Sequence, residues 1–160
     1  MYGPEVVNSD GSVTVYTEDK TQLTIDNESV LRLIDHWQRA RFARQQIEED
    51  LKVTAEEMKT AGMSEELAII EAAIEKKQQK IIEAKDLFVR QAVELRQAYQ
   101  AAPSAYTQLI ENVLDTQRVR NDPSRTTLIT SVDHVIREEA GTGGSFEKGI
   151  SKTFDNSLTT

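Results

Sequence analysis

The chain contains two histidines, His36 and His134, each next to an acid, in Asp35-His36-Trp37 and Val132-Asp133-His134-Val135. A histidine beside a carboxylate is the raw material of general acid–base chemistry. Neighbours on a helix, however, point about 100° apart, so neither acid can orient its own histidine as a catalytic dyad requires. Neither histidine has a glutamate three residues before it, and no two histidines lie at helical spacing. The di-metal bundle and zincin patterns are therefore absent. There is no cysteine, which removes thiolate–zinc sites, thiol nucleophiles and disulfides. No catalytic residue, metal ligand or cofactor-binding residue is assigned, and the expectation is a protein that is not an enzyme.

Two further stretches invite a chemical reading. Gly141-Thr142-Gly143-Gly144-Ser145 has the composition of a phosphate-wrapping loop, but no strand pattern precedes it and no lysine follows as a P-loop needs. It reads as a flexible linker. Trp37-Gln38-Arg39-Ala40-Arg41-Phe42-Ala43-Arg44 mixes arginines with aromatics, the composition of an anionic or nucleic-acid contact, with Arg39 and Arg41 as the candidate contacts. Trp37 and Arg44 also belong to an apolar helical seam and the whole chain is acidic, so nucleic acid is the alternative partner and not the expected one.

The elements that carry these residues follow from periodicity. Val13 and Val15, then Leu23 and Ile25, alternate with polar residues around Glu18-Asp19-Lys20, which predicts a β-hairpin. Asp10-Gly11 is a second turn signal and can instead pair Glu5-Val6-Val7 with Val13-Thr14-Val15; a two- or three-stranded element within residues 1–29 fits either register. Asp26 or Asn27 then caps a helix. Val30, Leu33, Trp37, Ala40, Arg44, Ile47, Leu51, Thr54, Met58 and Ala61 recur at heptad spacing up to Gly62. A matching series runs from Leu67 through Ile70, Ile74, Lys77, Ile81, Ala84, Phe88, Gln91 and Leu95 to Ala98.

Two helices of about 50 Å joined by a short loop must run antiparallel. Folding at Gly62 sets Leu51 near Ile74, Arg44 near Ile81, Trp37 near Phe88 and Val30 near Leu95, so residues 30–102 form one long hairpin. Arg44 and Lys77 interrupt the seam, their stems covering it while their charges reach Glu48 or water; the alternative is that they face another subunit. Pro103 ends the second helix, Ser104 can cap a third to about Arg120, and Asn121-Asp122-Pro123-Ser124 turns into a fourth that ends near Ala140. These shorter helices, within residues 103–140, are placed at the end away from Gly62.

Charge is distributed unevenly along this plan. The net charge is −8, yet the hairpin tip, residues 48–75, holds nine acids against two lysines. Glu56, Glu57, Glu65 and Glu66 are its candidate partner-binding residues. The two stem arms, 30–47 and 76–102, hold ten basic residues against four acids. Because the helices are antiparallel, like faces like at both ends. Counter-charge for the stem is expected from the acidic N-terminal segment or from the tip of a neighbouring copy.

Residues 141–160 complete the chain as a linker and a polar tail carrying Phe146, Ile150, Phe154 and Leu158 four residues apart. Four apolar residues cannot make a core of their own, so they are expected to dock as an extended arm on another subunit. The fold class is thus mainly α: a long coiled-coil-like hairpin, two shorter helices, a small β element and an arm. No run is long and apolar enough for a membrane span and no signal peptide is visible, so cytoplasmic synthesis is expected. The function expected is a structural or adaptor subunit of a protein assembly whose partners include copies of itself. An assembly chaperone or regulatory coiled-coil partner is the alternative. In architecture, though not in any motif, the chain resembles the small structural proteins of bacteriophage heads, necks and tails, which implies a virion component.

Overall fold

The structure is a computed structural model that describes residues 6–7, 12–16, 22–52, 55–138 and 145–159. Three strands open it: β1 (Val6–Val7), β2 (Val13–Tyr16) and β3 (Gln22–Ile25). They pair antiparallel in the order β1-β2-β3, with Val7 opposite Val13 and Val13 opposite Ile25. Both pairings anticipated from the sequence therefore coexist. The turns at Asp10-Gly11 and Glu18-Asp19-Lys20 lie outside the described residues.

Among the described residues the helical segments that follow are α1 (Asn27–Lys52), α2 (Ala55–Thr60), α3 (Ser64–Ala101), α4 (Pro103–Val119), α5 (Pro123–Glu138) and α6 (Ser145–Leu158). The fold is mainly α. Asp26 caps α1, its Oδ1 accepting from the Ser29 backbone N–H at 3.0 Å and from the Ser29 hydroxyl at 3.1 Å. α1 and α2 together make the first arm, and residues 53–54 between them lie outside the described residues. Gly62 closes the turn with φ of +69°, a conformation that glycine adopts without a Cβ penalty.

α3 then returns along α1. Lys77 is ion-paired with Asp50, and Arg32 donates from Nε to Gln91 Oε1 at 3.4 Å, so α3 runs antiparallel to α1. At Pro103 the sequence reading needs a small correction. Proline is the first residue of α4, with Ala102 before it and no side-chain cap, and Ser104 sits inside the helix. A proline fits the first helical position because its missing N–H has no partner there in any case.

The core lies at the stem. Val30, Leu33, Ile34, Trp37 and Ala40 of α1 meet Ala84, Phe88, Ala92, Leu95 and Ala98 of α3, and α4, α5 and α6 add Tyr106, Ile110, Ile129, Ile136, Phe146, Ile150 and Phe154. From Glu48 to Glu83 no described residue is fully buried. Leu51, expected as a core partner of Ile74, is 58% exposed, while Ile74 is half-buried. At this level Asp50, paired across to Lys77, faces α3 and its neighbour Leu51 turns outward, and α4–α6 provide no third wall there.

The C-terminal segment is the main departure from expectation. Residues 145–158 are helix α6, not an extended arm. Phe146, Ile150 and Phe154 are buried in the chain's own core and Leu158 is half-buried against it. A four-residue spacing drifts slowly around a helix, so one stripe can meet the groove left by α1, α3 and α5.

Candidate partner-binding surfaces

α6 is held by a set of contacts that explains why its apolar face is not available to another subunit. The Phe154 ring lies 5.0 Å from that of Phe88, tilted by 56°. The Arg96 guanidinium covers Phe146 at 4.6 Å, and Lys85 Nζ is 2.9 Å from both carboxylate oxygens of Asp155. Trp37 donates from Nε1 to Ser157 Oγ at 2.8 Å, satisfying the one polar atom of a buried indole. Phe146, Ile150, Phe154 and Leu158 are brought together, but inside this chain.

Arg39 and Arg41, neighbours in sequence, take different environments. Arg39 is exposed and pairs with Asp35 one turn back at 3.0 Å. Arg41 folds over the Trp37 ring, 4.7 Å from its centre, and lines a surface cleft of ≈ 510 Å³. That cleft also has Ser124, Thr127 and Ser131 of α5 and Asn156 and Ser157 of α6 on its walls, beside the apolar Trp37, Pro123 and Leu128. Three other stem cations find partners close by: Arg44 with Glu48 at 3.6 Å, Arg90 with Asp86 at 3.0 Å, and Lys85 with Asp155. Lys77 apart, which takes Asp50 of α1, counter-charge in these pairs comes from the same helix or from α6, and no described ion pair involves the N-terminal segment. Such exposed pairs are worth about 0–1 kcal/mol each.

The histidine–acid neighbours are kept apart as the helix geometry requires. Asp35 is taken by Arg39, while Asp133 accepts from the Tyr106 hydroxyl at 2.9 Å and from Arg137 Nε at 2.9 Å. Burial raises the Tyr106 hydroxyl pKa above its ordinary value, and the adjacent Asp133 carboxylate adds to the rise. Tyr99 stacks edge-on to Tyr106, with ring centres 5.2 Å apart, and Arg137 caps both rings, making this a structural cluster that ties α4 to α5. His36 is half-buried, and its Nδ1 has no partner. Burial lowers its pKa, with Arg39 and Arg32 acting the same way and Asp35 opposing. His134 is exposed. Among the described residues no group of three or more metal-type side chains converges, and no helix is long and apolar enough to cross a membrane.

Among the described residues, two surfaces of the hairpin expose apolar side chains beside charged ones. The tip exposes Glu57, Glu65 and Glu66 with Leu51, Met63 and Ile69, the last 69% exposed; the Glu56 side chain lies outside the described ones. On the stem, α1 and α3 alone line a groove of ≈ 360 Å³, floored by Ala43 and Ala84 and walled by Phe42 and Leu87. Phe42, 61% exposed, falls outside the heptad seam and was not among the sequence candidates. An aromatic off the seam of an otherwise polar helix face is the signal that marks it. Comparison with protein-family models, with curated proteins and with solved structures finds no match.

Proposed function

We propose that the protein is a non-enzymatic structural or adaptor subunit of a larger protein assembly, binding other chains through the projecting half of its hairpin. The observation that carries this reading is the stretch from Glu48 to Glu83, where no described residue is fully buried although its sequence keeps apolar residues at helical spacing. A two-helix projection leaves about half of its apolar stripe wet, and a partner chain laid along it removes that surface from water. Nine acids against two lysines at the tip favour a partner with a basic surface. The likeness of plan to small structural proteins of bacteriophage heads, necks and tails makes a virion the first assembly to test.

The decisive experiment replaces residues 48–75 by a short glycine linker. The stem core does not include this segment, so circular dichroism should show the helical body retained. Incorporation into the native assembly is then compared with that of the full chain. Loss of incorporation with the body intact is the expected result, and normal incorporation overturns the proposal.

A further inference from the structure

The stem groove and the charge asymmetry together specify one partner for the open face of the hairpin. We infer that this face binds a second copy of the chain, with the two hairpins antiparallel so that each tip lies along the other's stem. The inference rests on reading the hairpin as a binding element and names what it binds first.

Three observations converge. Phe42 and Leu87 stand exposed on either side of a floor made by the small residues Ala43 and Ala84, so the wall of a facing helix can approach closely. Ile69 lies five helical turns from Leu87 on α3, and five turns of about 3.6 residues return it to the same side of the helix. A two-fold axis midway between them sets Leu87 of each copy at the height of Ile69 of the other, burying both exposed apolar residues twice over.

Charge selects the direction. The stem arms hold ten basic residues against four acids and the tip nine acids against two lysines. Parallel pairing lays acid on acid, whereas antiparallel pairing lays each acidic tip on a basic stem.

The test uses the full chain. Sedimentation across a wide concentration range should show the mass rising from that of one 18.0 kDa chain toward that of two. At about 0.5 M salt, where the screening length is about 4 Å, the association should weaken about tenfold. Leu87→Glu and Ile69→Glu, both at exposed positions, should each weaken it by about tenfold or more while leaving helical content and melting unaltered. Because the chain has no cysteine, single cysteines at the exposed Leu31 and Met63 can be labelled selectively. Energy transfer between Met63 of one copy and Leu31 of the other should be high, and between Met63 of both copies low. A single-chain mass at every concentration, or stronger tip-to-tip transfer, overturns the inference. A monomer leaves the adaptor reading to be decided by the shortened hairpin, so the two failures are distinguishable.

Discussion

Replacing Phe154 by alanine removes the side chain that anchors α6. Phe154 is fully buried, packs on Phe88 at 5.0 Å between ring centres, and has helices α1, α3 and α5 around it. Truncating a buried phenylalanine costs about 3–5 kcal/mol, the lost transfer energy being increased by the cavity left in a rigid surround. For a chain of this length each kcal/mol lowers Tm by about 2–4 °C, so a fall of about 6–20 °C is expected. The chain's one tryptophan reports on the same place, since Trp37 donates to Ser157 near the end of α6. Denaturant unfolding of the isolated protein, followed in parallel by Trp37 fluorescence and by circular dichroism, gives both the loss and its location. A Phe154→Ala protein that melts within about 0.5 kcal/mol of the parent would refute the packing of α6 on its own hairpin. It would restore the picture of a tail that waits for another subunit.

Leu51→Ala should change stability by no more than about 0.5 kcal/mol, because Leu51 is largely exposed, whereas Phe88→Ala, at a fully buried position, should cost about 3–5 kcal/mol. Equal losses in thermal melts of the two variants would mean that the tip carries a core of its own. For His36 the sign follows from its lowered folded-state pKa: as the pH falls below the ordinary histidine value of 6.5, the unfolded chain binds more protons than the folded one. The stability that neutral His36 contributes is present above that pH and is lost as the pH falls through the folded-state value. His36→Gln should remove this part of the pH dependence, which unfolding midpoints measured from about pH 8 down to about pH 5 will show.

Heptad spacing is a local and repeating property, and it was enough to predict two long antiparallel helices and their turn at Gly62. Each additional level, from Val30 with Leu95 to Arg44 with Ile81, has to agree with the last. The β pairing was legible for a related reason: alternation and turn residues restrict a short strand to very few neighbours. The seam pattern states which side of a helix is apolar, but not whether anything covers it. Leu51 and Trp37 occupy equivalent positions in one series, yet only Trp37 has α6 beside it. Burial at those two positions is thus decided by a third layer from the far end of the chain.

The same physics separates the two readings of the C-terminal segment. Phe146, Ile150, Phe154 and Leu158 show by themselves only that one stripe must find an apolar surface. That surface is assembled from Trp37, Phe88, Arg96 and α5, residues distant in sequence that become a groove only when the hairpin and the shorter helices are in place. The sequence by itself determined the mainly helical class, the hairpin and the uneven charge along it. The tertiary structure decided that the tail completes the chain's own core and that the tip and the Phe42–Leu87 groove are the faces left open. The reason is that periodicity is written within each helix, whereas enclosure depends on where all the other helices end.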